Sequence, residues 1–175
     1  TIDNNLLDYV TSNLDYSFVF IGPILDKRIL ELKKNKNVFF IGQIDHNLIP
    51  QYINFFDVCM IPYKKNEFTD GIYPVKLNEY LAMGKNVIST NIDEVIEFNK
   101  EHNNIIEVAS SKEKFLEKIV NITTGPEISK KSVETSQNIA KQNSWTKRFE
   151  KIDNIIRERF EVKISQNTIN WKKYY

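Results

Sequence analysis

The chain has 175 residues, 41% hydrophobic and 12% aromatic, and its charged residues, 27% of the total, balance to a net charge of +1. That is enough for one compact domain with a real core, and nothing global demands nucleic acid. The lone cysteine, Cys59, excludes an intrachain disulfide and fits a reducing, intracellular compartment, and no apolar run approaches the ~20 residues that span a bilayer.

Taken in chain order, apolar runs alternate with amphipathic stretches. Thr1 carries no signal-peptide pattern, and without an initiator methionine the sequence reads as a fragment or a processed chain. Tyr16–Ile21 reads as a strand ended by Gly22-Pro23, followed by a helix over Leu25–Lys33. Asn37–Ile41 is a second strand, ended by Gly42, and Asn47–Phe56 a helix with Leu48, Tyr52 and Phe55 on one side. Val58–Pro62 is a third strand, running into a polar loop over Tyr63–Ile72. Then come a helix over Pro74–Met83, a strand over Asn86–Thr90, a helix near Ile92–Asn99 and a strand over Ile105–Val108. Short, β-branched strands of nearly continuous hydrophobicity are how parallel strands covered on both faces read. The alternation predicts an α/β, Rossmann-like, doubly wound parallel sheet. The reading is of one domain over 1–175, with a core at about 15–123 and C-terminal helices at about 126–164.

Beyond Ser110 the pattern is helical. Phe115, Leu116, Ile119 and Val120 make one apolar face, a polar helix follows Pro126, and a third starts near Ser144 with Trp145, Phe149, Ile152 and Ile156 at helical spacing. Residues 144–175 hold eight Lys/Arg against four Asp/Glu and end Trp171-Lys172-Lys173-Tyr174-Tyr175. A basic, aromatic tail suits an anionic membrane surface; a solvated helix face with a frayed end is the other reading.

The segment Gly71–Gly84 says most about chemistry. Pro74 marks a helix start, Lys76, Glu79 and Met83 share one face, and Leu77, Tyr80 and Leu81 share another. Lys76 and Glu79 do not belong on a buried side. They sit in the first turns, where backbone N–H groups lack helical partners and the macrodipole is positive, which equips the site for a phosphate and a neighbouring hydroxyl. Tyr73 is a poor N-cap, which leaves those N–H groups free; capping by Asp70 or Thr69 is the alternative. A simple i,i+3 ion pair between Lys76 and Glu79 is the plain alternative for the side chains. Gly71, just before the helix, is a place where a positive φ or close approach to a phosphate is expected.

Other candidates carry less. His46, after Asp45 in a turn, reads as surface or capping, and His102 as loop. Cys59 reads as a small buried apolar residue, and the sequon at Asn121 as chance in an Asn-rich chain. Two isolated histidines make no metal site. The sequence contains no Asp-x-Asp, no Gly-x-x-x-x-Gly-Lys-Ser/Thr and no Gly-x-Gly-x-x-Gly.

The ordered runs Asn37-Val-Phe-Phe-Ile-Gly, Leu48-Ile-Pro-Gln-Tyr-Ile, Phe56-Asp-Val-Cys-Met-Ile-Pro-Tyr and Tyr73-Pro-Val-Lys-Leu-Asn-Glu-Tyr-Leu-Ala-Met-Gly resemble the nucleotide-sugar-binding half of GT-B glycosyltransferases. The likeness is nearest to the retaining family numbered four (glycosyl transferases group 1). It runs from about Asp15 to Ile156, and Ser144-Trp145 resembles the start of the closing helix. The resemblance implies a domain that holds a nucleotide-diphosphate sugar and begins after the family domain's first strand and glycine-rich loop. The acceptor, a glycan or a lipid-linked one, would meet a separate N-terminal domain absent from this chain.

The resemblance implies roles residue by residue. Glu79 matches the second Glu of the family's Glu–seven residues–Glu motif and would bind the ribose hydroxyls, with Lys76 facing the diphosphate; these two are the catalytic candidates. Gln43 and Ile44 match the segment against the base, and Gly71, Ile72 and Tyr73 the turn that meets phosphate and sugar. The first Glu of the motif falls at Gly71, so its sugar contact is missing. No cofactor or metal is expected, the anomeric configuration would be retained, and the setting would be cytoplasmic, at or near the inner face of the cell membrane. A non-catalytic Rossmann-like binding module and half of a nucleotide-sugar epimerase are the competing readings.

Overall fold

The structure, a computed structural model, describes residues 2–171. The first element is one the sequence reading missed. Asp3 caps α1 (Asn4–Asn13), its carboxylate accepting from the Leu6 N–H at 3.0 Å. Leu6, Leu7 and Val10, at helical spacing, are buried, so the core already includes residues before about 15. β1 (Phe18–Ile21) follows. The crossover to β2 (Val38–Gly42) is a 3-10 helix over Lys27–Lys34, which buries only Ile29 and Leu32. Gly22 and Gly42, which close these strands, have φ of 131° and 83°.

After β2, a short 3-10 turn over His46–Leu48 feeds α2 (Ile49–Ile53). β3 (Val58–Ile61) leads not into a plain loop, as expected, but into α3 (Glu67–Asp70). Its ends are tied by a capping box in which Asn66 Oδ1 accepts from the Thr69 N–H and Thr69 Oγ1 accepts from the Asn66 N–H, both at 3.0 Å. α4 (Val75–Ala82), β4 (Asn86–Thr90), α5 (Asp93–Glu101) and β5 (Glu107–Ala109) follow the expected order. Three helices close the chain: α6 (Lys112–Thr124), α7 (Lys130–Gln142) and α8 (Trp145–Trp171). Residues 172–175 of the basic tail lie outside the described residues.

Every strand pairing in the two sheets is parallel. β1 pairs with β2, and β4 lies between β3 and β5. The expected single sheet is thus hydrogen-bonded as two sets, which share packing rather than a ladder. Phe18 and Phe20 of β1 and Val58 and Met60 of β3 pack into one cluster with Leu6 and Val10 of α1, Ile88 of β4, and Phe115 and Ile119 of α6. On the opposite face Ile61 and Val87 pack with Leu77 and Leu81 of α4, Ile92, Val95 and Phe98 around α5, and Ala140 of α7. Val87 and Ile88 are both buried, yet they belong to different faces. That is the period-two signature of strands covered on both sides.

α4 is fixed at its C-terminus by its own backbone. Gly84, at φ 64°, follows the last turn; its N–H donates to the Leu81 carbonyl at 2.9 Å, and the Lys85 N–H reaches the Tyr80 carbonyl at 3.0 Å. This is a Schellman closure, which needs a residue at ease in the left-handed region. A Cβ on Gly84 would lie 2.6 Å from Val133 Cγ1, so the same glycine lets α7 approach α4. Burial of Leu77 and Leu81 contributes about 1.5–3 kcal/mol each and turns the polar face of α4 outward.

Candidate functional site

In an open parallel sheet, ligands meet the carboxyl ends of the strands. Three segments converge there: Gly42–His46 after β2, Tyr63–Tyr73 after β3, and Thr90–Ile92 after β4. An open cleft of about 280 Å³ at the ends of β3, β4 and β5 is lined by Tyr63, Lys65, Thr90, Asn91, Ala109 and Lys112, among others, and by neither Lys76 nor Glu79. Lys65 braces its rim, donating to the Asn91 carbonyl at 3.1 Å and to Asp93 Oδ1 at 2.8 Å. Thr90 Oγ1 donates to the Tyr63 carbonyl at 2.7 Å, fixing one loop against the other.

The start of α4 lies where the chemistry was expected, with one shift. Pro74 occupies the N-cap rather than the first helical position and is buried. No side chain caps the helix. The two capping alternatives are used elsewhere: Asp70 Oδ1 accepts from the Asp93 N–H at 3.3 Å, and Thr69 Oγ1 belongs to the α3 capping box. The Leu77 N–H turns back to the Pro74 carbonyl at 2.9 Å. Among the described residues the N–H groups of Val75 and Lys76 have no hydrogen-bond partner, and they lie at the positive end of the macrodipole.

Lys76 is exposed on the first turn and Glu79 half-buried one turn on. They do not form the i,i+3 pair that spacing allows. Glu79 Oε1 instead lies 3.5 Å from His46 Nε2. Asp45 sets up that contact by capping the 3-10 turn, its Oδ1 accepting from the Asn47 N–H at 2.8 Å, which presents His46 beside α4. His46 therefore links the segment of Gln43 and Ile44 to Glu79. Sequence reading had placed it as surface or cap. The signal was available only as its position four residues past a strand-ending glycine.

Gly71 does not take the positive φ that was one of the two expectations there. Its φ is −92° and a Cβ there would meet nothing within 4 Å, so neither backbone strain nor close packing requires glycine. Ile72 and Tyr73 are half-buried. The Tyr73 hydroxyl donates to Asn78 Oδ1 at 2.8 Å, and its ring tilts against Phe98 at 5.9 Å. Arg148 of α8 lies over the Tyr73 ring at 4.7 Å, a contact that sequence alone did not suggest. Burial raises the Tyr73 phenol above its ordinary range. Tyr73 thus supports α4 from the flank of Asn78. Among the described residues no group of three or more His, Cys, Asp or Glu is placed to hold a metal ion.

Residues 5–124, more than half of the chain, match the family described as glycosyl transferases group 1. The chain belongs to this family. Over 89 residues it is 33% identical to a protein of Bacillus subtilis (strain 168) named for a teichuronic acid biosynthesis glycosyltransferase, TuaH; the match covers 49% of this chain and 22% of that protein. The fold is shared with WaaG, a glycosyltransferase involved in lipopolysaccharide biosynthesis, at a TM-score of 0.56 and 16% identity, over 79% of this chain and 38% of WaaG. The chain therefore spans well under half the length of these glycosyltransferases. The family match begins within α1 and ends with α6, so it takes in the whole sheet and the start of α4.

Proposed function

We propose that this chain is the donor-binding part of a glycosyltransferase that moves a sugar from a nucleotide-diphosphate sugar to an acceptor in bacterial surface polysaccharide synthesis. Family membership supports glycosyl transfer, and the names of TuaH and WaaG support a surface glycan as product. The observation that carries the assignment of the site is the uncapped start of α4, with Lys76 and Glu79 outside and Glu79 tied to the loop after β2.

In this proposal Gln43 and Ile44 lie against the base, Glu79 accepts from the ribose hydroxyls, and the turn Gly71–Tyr73 brings the diphosphate to the start of α4. As the bond from sugar C1 to the diphosphate breaks, negative charge grows on the leaving group. The free N–H groups and Lys76 stabilise it as fixed dipoles and a point charge. The reaction needs no cofactor in this scheme, and the sugar keeps its anomeric configuration. Selection of the sugar falls to other residues, since Gly71 offers no side chain.

The acceptor, a glycan or lipid-linked glycan, meets a further N-terminal domain in this proposal. The sheet supports a unit completed by more chain. α1 and the Lys27–Lys34 crossover share one cluster through Leu7, Ile29 and Leu32, hence one face. A right-handed crossover entering β1 through α1 on that face starts from a strand on the side of β1 away from β2, next to β3. The Asp3 N–H donates to the Pro62 carbonyl at 2.8 Å, which sets the entry to α1 at the carboxyl end of β3, where such a parallel strand would finish.

A non-catalytic nucleotide-binding module is the second reading, favoured by Gly71 standing in place of the sugar-contacting carboxylate. Incubating the chain with a panel of nucleotide sugars, with and without the acceptor domain added separately, decides between them. The proposal expects release of nucleoside diphosphate only with both parts present; no release in either case leaves the binding module.

A further inference from the structure

The start of α8 meets the rest of the fold through Arg148. Among the described side chains of α8, those of residues 145–161, Arg148 alone is half-buried and the others are exposed. Trp145 and Phe149 beside it stay 63% exposed, so apolar packing does not dock this end of the helix. The ion pairs of α8, Lys147 with Glu150 and Arg157 with Asp153, leave Arg148 out. The partner of its guanidinium is the Tyr73 ring, whose centroid lies 4.7 Å from Cζ, and the Trp145 ring lies 5.9 Å from the same atom. A planar cation over an aromatic face, partly withdrawn from water, is a favourable and directional contact.

Tyr73 is where that contact acts. It stands in the turn that enters α4, directly before the Pro74 N-cap. Among the described residues it takes part in no backbone–backbone hydrogen bond, so the main chain at this position does not fix the turn. The side chain does. Its hydroxyl donates to Asn78 Oδ1 at 2.8 Å, its ring tilts against the buried Phe98 at 5.9 Å, and Arg148 lies over the ring. Asn78 and Phe98 belong to α4 and α5, which flank the sheet. Arg148 comes from beyond residues 5–124, the stretch that matches the family.

We propose that Arg148 is a positioning residue for the nucleotide site. It holds Tyr73, Tyr73 holds the turn into α4, and the turn sets where the N–H groups of Val75 and Lys76 stand. The inference rests on the reading of the α4 start as the place of the nucleotide, and adds that α8 is coupled to that place. By reciprocity, a nucleotide that orders the turn also favours the docked α8.

Hydrogen exchange and calorimetric titration of the full chain test it, with UDP, GDP, ADP and CDP as probes. Arg148→Ala should speed exchange over residues 71–79 by about two- to fivefold and leave β4 unchanged. It should weaken binding of the nucleotide that the unaltered chain takes by about two- to fivefold as well. Arg148→Lys, which keeps a cation within reach of the ring, should recover most of both effects. In a Tyr73→Leu background Arg148→Ala should add nothing to either readout. Unchanged exchange over residues 71–79 in Arg148→Ala overturns the proposal. So does exchange that rises equally in β4, which marks a general loss of stability, and so does an undiminished effect of Arg148→Ala in the Tyr73→Leu background. If the unaltered chain binds none of these nucleotides, the reading of α4 falls and the positioning role falls with it. Intact binding that Arg148→Ala does not weaken overturns the positioning role alone.

Discussion

His46 Nε2 stands 3.5 Å from Glu79 Oε1, joining the loop after β2 to the second turn of α4. This side-chain contact bridges the two sides of the proposed nucleotide site. His46 is 80% exposed and Glu79 35%, so the contact is a surface one, worth no more than about 1 kcal/mol. His46→Ala should therefore weaken nucleotide binding by about fivefold at most. Glu79→Ala removes the group that meets the ribose and should cost more than that. Calorimetric titration of both variants with the same nucleoside diphosphate checks the order, and an equal loss in the two would contradict it.

Two glycines flank α4 and should respond oppositely to the same substitution. Gly84→Ala forces a side chain into φ 64° and against Val133. It should lower stability by about 1–3 kcal/mol. Gly71→Ala, at φ −92° in open space, should be neutral or stabilise by up to about 1 kcal/mol. Urea unfolding of the pair measures both.

Asn99 closes the back of the site's scaffold. Its side chain is buried, with Nδ2 donating to the Ile106 carbonyl and Oδ1 accepting from the Ile106 N–H, both at 3.0 Å. Asn99→Ala would leave both backbone groups buried without partners. A loss of about 2–4 kcal/mol is expected, read as a lower thermal midpoint with the fold retained.

The core should also make the protein sensitive to alkali. Burial pushes the Cys59 thiol up to about 12 from an ordinary value of 9.0, and the Tyr80 phenol is raised by the same desolvation. Both groups are neutral in the folded state and ionise more readily once unfolded. Their contribution is complete below pH 9, the ordinary thiol value, and is lost as pH rises through about 12. Urea midpoints measured across that range should fall. A thiol reagent at neutral pH should label Cys59 only on unfolding.

Strand order and the α4 segment were legible because their signals are local. β4 spans Asn86–Thr90 as read, and Leu77 and Leu81 pack inward as their spacing requires. α1 was missed because Asn4, Asn5 and Asp8 dilute a three-residue apolar face, which becomes helical through Asp3 capping and contact with α6 and the Lys27–Lys34 crossover. That crossover was read as a regular helix; it buries too little to hold one and tightens to 3-10 geometry. α3 arises from a capping box inside a polar run, a pattern with no hydrophobic period. The outward placement of Lys76 and Glu79 on α4 was legible from helix phase. The partner of Glu79 was not, because His46 lies 33 residues away and meets it only through the fold. The positive φ expected at Gly71 is absent, since nothing in a sequence distinguishes a glycine that needs its conformational freedom from one that does not.

The most direct test is calorimetric titration of the chain, Lys76→Ala and Glu79→Ala with UDP, GDP, ADP and CDP. The account predicts that at least one nucleotide binds the unaltered chain and that each substitution weakens it by about tenfold or more, roughly 1.4 kcal/mol, with unchanged circular dichroism. Unchanged affinity for every nucleotide in both variants would contradict the placement of the nucleotide at the start of α4.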